Sequence, residues 1–509
     1  MQMVEVGNKI GIRNELLENF STYVELNDFT DGRVKNVEGY LVPYMTEEDS
    51  GIDYNKPNLS NQKALAARKK HLYNINYCSP YLFIHLGHLT QPIVLKNYTS
   101  EAIDSIQQDV TQFRESLKIA DIDYKWSYLL NGMIGVLVDK QAIQAGQSKA
   151  TTSNIRSYQV LFEAPEIRNF SYYNEGINKG KLKSVALTLG FKKESEGKKE
   201  KLYERVMLLE LPETGNYSWK YLISTEEYNT GDFQKNDELK FKLDTDRINA
   251  EGIGGFNEIP FVLLGQGVED SMLSEVAPLN KTLLNKRSIK GSVLYNQGFQ
   301  RNFGLGIKPE EIKQVGEYLL TCIENPEAKI LSLDAGDATG LSEEIRDIQN
   351  QLDRRGRLEF NQLSDDTRQV QAAESKQADK VGKKKIYDLI IDEFEQFYKN
   401  IFRFHFLFDD PTAYKEKEFS VVIGRDFELD DPSAELNESQ VTFYMAKELK
   451  AYKAMKAILK YRLSRIKILP SEDLNIEDTY KEIFTEIDST DLNADVRLPD
   501  IFGNVETTV

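Results

Sequence analysis

Residues 383–408 constrain the fold of this chain more than any other stretch. Ile386, Ile390, Phe394, Phe397, Ile401, Phe404 and Phe408 recur at steps of four, four, three, four, three and four. That is the spacing of one face of an α-helix. No Gly or Pro interrupts the run, and the DDP sequence at 409–411 stops it. A helix of this length reaches about 39 Å at 1.5 Å per residue. So long an apolar face must line a helical layer or form the spine of an elongated subunit.

The rest of the chain supplies elements for such a spine to pack on. Residues 1–60 are polar and punctuated, and read as an arm with loops. Residues 61–91 read as helical up to Pro92. A second helix is expected from Ser100 to about Ala120, capped by Ser100, with Ile103, Ile106, Val110, Phe113 and Leu117 on one face. From Met133 to Phe261 the period becomes strand-like. The runs MIGVLVD, YQVLFEA, KSVALTLGF, YERVMLLEL and SWKYLIS predict an antiparallel meander. The charged segment KKESEGKKEK (192–201) reads as a solvated hairpin tip.

IPFVLLG (259–265) closes the β-rich part, and a helix is expected over about 271–295, with Pro278 starting or kinking it. A compact segment over 299–335 should hold a helix at 309–324 and a strand at 328–333. Ser342 is expected to cap a helix reaching Leu363 and weakened by Gly356. The polar break SDDTRQVQAAESK (364–376) follows. After a short strand within 418–427, helix 447–465 carries seven Lys/Arg against one Glu. Leu449, Tyr452, Met455, Leu459 and Leu463 would face inward there. Residues 466–509 carry three Lys/Arg against eleven Asp/Glu.

Length and charge narrow the function. A chain of 509 residues holds roughly two to four domains. Its 64 Lys/Arg and 81 Asp/Glu leave a net charge of −17, which opposes wrapping of nucleic acid. The N-terminus has no signal-peptide pattern, and the apolar runs LLNGMIGVLV and IPFVLLG are too short for a bilayer, so no membrane partner is expected. Cys78 and Cys322 are expected to remain thiols.

Catalytic motifs are sparse. No phosphate-cradling GxxxxGK[ST] loop and no GxSxG elbow occurs, and GIGG (252–255) lacks the rest of a dinucleotide fingerprint. His85 and His88 with Cys78 nearby fall short of a metal set, and a helix packed through Leu82, Leu86 and Leu89 explains them. Asp365 and Asp366 are adjacent in a polar stretch, which favours solvation over acid–base work. His405, inside FRFHFLF, is expected in a core or interface.

The order of elements resembles the portal protein, or head-to-tail connector, of tailed double-stranded DNA bacteriophages. The phrases carrying the resemblance are GMIGVLVD and YQVLFEAPEIRNF, then IPFVLLG leading into a helix with mid-helix basic residues. A glycine-marked segment, LSEEIRDIQNQL, DDTRQVQAAESKQADK and the aromatic spine follow. The resemblance covers about residues 61–465. It implies an α+β, elongated subunit: a β-rich wing (1–265), a first stem helix (271–297), a clip (298–335) and a second stem helix (341–362). It further implies a tunnel loop (363–375), a spine helix with wing return (376–439), and a helical crown with acidic tail (440–509).

The implied function is a homo-oligomeric ring, a dodecamer, at one vertex of the virion. It would pass double-stranded DNA and dock the terminase large subunit, then a head–tail adaptor, beside the major capsid and scaffolding proteins. Assembly would occur in the bacterial cytoplasm. No catalysis, cofactor or metal is implied. Lys281, Lys286, Arg287 and Lys290 on the first stem helix are candidate DNA-channel residues, as are Asp365, Asp366, Arg368 and Lys376 at the loop. Another virion ring or adaptor protein, or a cytoplasmic enzyme, are the alternatives that oligomeric state separates.

Overall fold

A computed structural model describes residues 8–42, 65, 68–69, 72–140 without 112 and 114, and 156–298 without 197, 198 and 248. It also describes 302–305, 320–323, 329–332, 339–356, and 373–425 without 416. The chain forms two compact units, residues 1–370 with 387–425, and residues 371–386 with 426–509. The described part of the second unit, 373–386, is helical. The expected basic helix 447–465 and the acidic tail lie outside the described residues.

The first unit begins with β1 (Asn8–Lys9), α1 (Asn14–Asp31) and α2 (Val34–Val37). α1 ends at Gly32, whose φ of 67° lets its N–H reach the Asp28 carbonyl at 2.9 Å. Next come α3 (Cys78–Leu89), β2 (Ile93–Lys96), α4 (Glu101–Gln108) and α5 (Leu117–Asn131). The single helix expected over 100–120 is therefore two. The chain turns at Asp109, φ −155°, and Val110 is fully buried between them. The Val110 carbonyl accepts the Gln159 N–H at 2.7 Å, a bond an uninterrupted helix would forfeit. Phe113, assigned to the same apolar face by spacing, is 83% exposed. Ser100 occupies the N-cap position as expected. Its hydroxyl, however, donates to Asp410 at 2.7 Å instead of capping.

The β-rich part contains β3 (Met133–Lys140), β4 (Ser157–Glu163), β5 (Ile167–Tyr172), β6 (Leu182–Glu196), β7 (Lys199–Glu210) and β8 (Ser218–Ser224). β9 (Lys240–Leu243), β10 (Glu251–Ile253) and β11 (Phe261–Gly265) complete it. The expected meander divides into two sheets. Seven strands form one, in the order β1-β9-β8-β7-β6-β5 with β10 beside β8. The second runs β11-β3-β4. All pairings in both are antiparallel. β3 is central in the small sheet, and Met133–Val138 are all buried. Burial on both faces is why MIGVLVD does not alternate. β6 and β7 pair down to Glu196↔Lys199, so 192–201 is a hairpin end as expected. Ile10, Ala186, Val206, Leu222, Leu239 and Phe241 form the core of the large sheet.

The chain continues through α6 (Val276–Gly298), β12 (Asn302–Leu305), β13 (Leu320–Ile323), β14 (Lys329–Ser332), α7 (Thr339–Gly356), α8 (Ala373–Asp409) and β15 (Ser420–Ile423). α6 starts five residues later than expected. Pro278 lies in its first turn, where backbone N–H groups lack intrahelical partners anyway, so it starts the helix without kinking it. Leu320–Ile323 is a strand where a helix was expected, because it pairs parallel to β12; residues 309–319 lie outside the described residues. β14 pairs antiparallel on the other side of β12. α7 begins at Thr339, which places Ser342 inside the helix and not at its cap, and its described part ends at Gly356.

α8 runs for 37 residues, so 373–376 is helical where a polar break was expected. Its buried face is turned one position from the expected one at its start. Tyr387 and Ile391 are enclosed, whereas Ile386 is 42% exposed. From Phe394 to Phe404 the expected positions Phe394, Phe397, Ile401 and Phe404 are all buried. β15 pairs with β2, joining the chain after the spine to the chain after α3.

Candidate functional site

α6 and α7 pack against each other, and α6 carries Lys281, Lys286, Arg287 and Lys290. α6 buries Val276, Ala277, Asn280, Leu283 and Leu284; α7 buries Ile345, Ile348 and Leu352 at helical spacing. Lys286 meets Glu344 at 2.7 Å. One and a half turns earlier on α6, Asn280 Oδ1 accepts the Tyr77 N–H at 3.3 Å, and the Tyr77 hydroxyl accepts a bond from Gln349 at 3.0 Å. Through Tyr77 a later residue of α7 is linked to an earlier residue of α6, as in an antiparallel pair.

The other flank of α6 is held by the chain's own N-terminal part. Lys281 pairs with Glu25 at 2.7 Å and lies 5.2 Å over the Tyr40 ring. Asn285 accepts the Val42 N–H at 2.8 Å and donates to the Tyr40 carbonyl at 3.1 Å. Arg68 donates to Ser288 at 3.0 Å. Two of the four basic candidates on α6, Lys281 and Lys286, are therefore neutralised by carboxylates of the same copy. Arg287 and Lys290 are half-buried and make no ion pair among the described residues, where Arg287 Nε is enclosed without a partner. Lys376 lies on α8. Asp365, Asp366 and Arg368 lie outside the described residues.

The histidines do not assemble a reactive site. His85 is buried, not partly exposed as expected, and its Nδ1 meets the Tyr387 hydroxyl at 2.8 Å. His88 packs on the same Tyr387 ring at 5.5 Å. Cys78 is buried, and burial pushes its thiol up to about 12. Leu82, Leu86 and Leu89 face the core, as expected for a packing helix. Among the described residues no cluster of three His, Cys, Asp or Glu could hold a metal ion.

His405 looks more suggestive, because Ser157 and Asp409 adjoin it. Its Nδ1 lies 2.6 Å from Ser157 Oγ, and its Nε2 lies 2.9 Å from Gln159 Nε2. Gln159 Oε1 accepts the Tyr124 hydroxyl at 2.7 Å, so its amide nitrogen faces the ring and must donate. Nε2 then accepts, and Nδ1–H donates to Ser157. The Ser157 hydroxyl in turn donates to Asp409, which also binds Lys140 at 2.6 Å. A hydrolytic triad needs the opposite polarity, with the imidazole taking the serine proton and the carboxylate behind the imidazole. Both Ser157 and His405 are fully buried. Burial lowers the His405 pKa to about 3, with Asp409 opposing the shift. The group is a neutral strut between the spine and β4.

A second buried network escaped sequence reading. Lys125 and Asp121, four apart on α5, pair at 2.8 Å, and Tyr398 of the spine donates to Asp121 at 2.7 Å. Lys125 also donates to the Leu89 carbonyl at 2.9 Å. The (i, i+4) spacing inside an apolar helix was the available signal. Removing one member of such a pair leaves an uncompensated buried charge, at a cost of about 3–5 kcal/mol. Elsewhere, Arg168 and Glu204 pair at 2.6 Å across β5 and β7, with Arg168 also bonding the Ile10 and Asn236 carbonyls.

No protein family matches the sequence, and comparison with curated proteins finds no relative. Among the described residues no helix is long and apolar enough to cross a membrane.

Proposed function

We propose that this chain is the portal subunit of a tailed double-stranded DNA bacteriophage. The observation that carries this reading is the arrangement after β11. Two antiparallel helices, α6 and α7, flank a small three-stranded sheet, and a 37-residue helix then returns to the β-rich body. That order corresponds to stem, clip, stem and spine. Copies would close into a homo-oligomeric ring at one capsid vertex, twelve in the virion. The ring would serve as the channel for genome packaging and ejection. It would present its outer surfaces first to the terminase large subunit and then to a head–tail adaptor.

The electrostatics suit a conduit. A net charge of −17 per copy repels phosphate, so DNA can slide without being gripped. With Lys281 and Lys286 already paired, contact with the duplex would fall to other groups, including Lys376 and the 363–372 stretch. The chain itself carries no catalysis in this reading; ATP hydrolysis belongs to the docked terminase.

The test is native mass spectrometry with negative-stain microscopy of the purified full chain at micromolar concentration. A closed ring with a central hole is the expected result. A compact monomer or dimer would overturn the reading.

A further inference from the structure

The two stem-like helices carry charges of opposite sign beyond the Lys286–Glu344 pair that they make with each other. On α6, Arg287, Lys290, Gly291 and Leu294 follow the steps i, i+3, i+4, i+7, so they share one face. Among the described residues no ion pair reaches Arg287 or Lys290; both are half-buried, and Leu294 is 48% exposed. Nothing lies within 4 Å of the place a Cβ on Gly291 would occupy. Glycine inside a helix weakens it relative to alanine. Among the described residues nothing requires the missing side chain, but close approach by another chain would.

On α7, Glu343 and Asp347 are exposed and four residues apart. They point away from Ile345, Ile348 and Leu352, the face buried against α6. Like charges at this spacing repel and weaken a helix slightly. Their neighbour Glu344 is taken by Lys286, while among the described residues no ion pair reaches Glu343 or Asp347. Each helix therefore holds two like charges without counterions among the described residues, and the two sets have opposite sign.

We propose that these faces meet between copies: Arg287 and Lys290 of one subunit pair with Glu343 and Asp347 of the next. A closed ring joins one patch to a different patch of the neighbour, so each copy must carry both halves of the contact. Charge complementarity identifies a second copy as the occupant, and Gly291 and Leu294 provide the close apolar centre of the contact. This inference rests on the ring reading above. It also removes Arg287 and Lys290 from the DNA-facing set.

The experiment uses full-length protein in three forms: Arg287→Glu with Lys290→Glu, Glu343→Lys with Asp347→Lys, and all four changes together. Each two-site variant alone should lose about tenfold or more of its ring yield, because like charges then face each other across the contact. Mixing the two should restore rings in which the variants strictly alternate, so native mass spectrometry should find even subunit numbers only. The four-site variant should assemble by itself. Rescue by mixing also shows that the single variants are folded.

Several outcomes overturn the proposal. Normal rings from either two-site variant would remove the contact. Rescue in the four-site variant without rescue by mixing would place the pairs inside one copy. Loss of rings with no rescue by either route would show that the charges do not face each other. Intact rings with reduced packaged DNA would assign Arg287 and Lys290 to the channel. A wild-type chain that forms no ring fails the portal reading itself, before any variant is compared.

Discussion

His405 shows how burial turns a potentially reactive residue into a structural one. In the unfolded chain its pKa is near 6.5, and in the folded chain it is about 3. Between those values the unfolded state takes up a proton that the folded state refuses. The histidine's contribution is therefore complete above pH 6.5 and is lost progressively as pH falls toward 3. One proton corresponds to about 1.4 kcal/mol per pH unit. His405→Gln should lower stability at pH 7, because the bonds to Ser157 and Gln159 are imperfectly replaced. It should also flatten the acid side of the stability curve. Denaturant unfolding at pH 7, 5.5 and 4 tests this: the gap between wild type and variant should shrink on acidification. A constant gap would mean that His405 titrates normally in the fold. Asp121, whose pKa is raised mainly by burial, is present in both proteins and cancels in the comparison.

Among elements, the spine helix shows what a periodic pattern determines and what it leaves open. Steps of three and four identify a helix and roughly which side is apolar. They do not fix its rotation to within one residue when apolar residues flank both candidate lines. Ile386, Leu389, Ile390 and Ile391 all qualify by hydropathy, yet Ile391 is fully buried and Leu389 is 66% exposed. Rotation is settled by what the helix packs on, here Tyr124, Tyr128 and His85. Ile391→Ala should cost about 2–5 kcal/mol through the cavity it leaves. Leu389→Ala should stay within about 0.5 kcal/mol. Thermal unfolding of the two variants side by side decides it, and equal losses would contradict the observed rotation. The split between α4 and α5 follows the same logic. Val110 fits a continuous stripe, but burying it beside β4 closes a backbone bond to Gln159.

At the scale of the whole molecule, the portal reading assigns the stretch between α7 and α8 to the channel. Deleting residues 365–372 removes little apolar surface, so ring yield should be unchanged. DNA content per assembled particle should fall sharply, because the segment would supply one copy per subunit at the narrowest point. Normal DNA content in particles carrying the deletion would remove the channel assignment. Loss of the ring would instead place the segment in the subunit contact. Measuring ring yield and DNA content on the same preparation separates these outcomes.

The sequence by itself determined the local elements: the spine helix and its stop at DDP, the strand runs over 133–265, the hairpin end at 192–201, and the helix position of the LSEEIRDIQNQL phrase. These are legible because backbone preference and solvent contact repeat at fixed short intervals along one element. The tertiary structure alone decided which strands share a sheet, with β3, β4 and β11 drawn away from the larger one. It alone decided that Lys281 meets Glu25 and Lys286 meets Glu344, which leaves Arg287 and Lys290 without a carboxylate among the described residues. Those pairings join residues far apart in the chain, and no interval in the sequence encodes a distance that only folding creates.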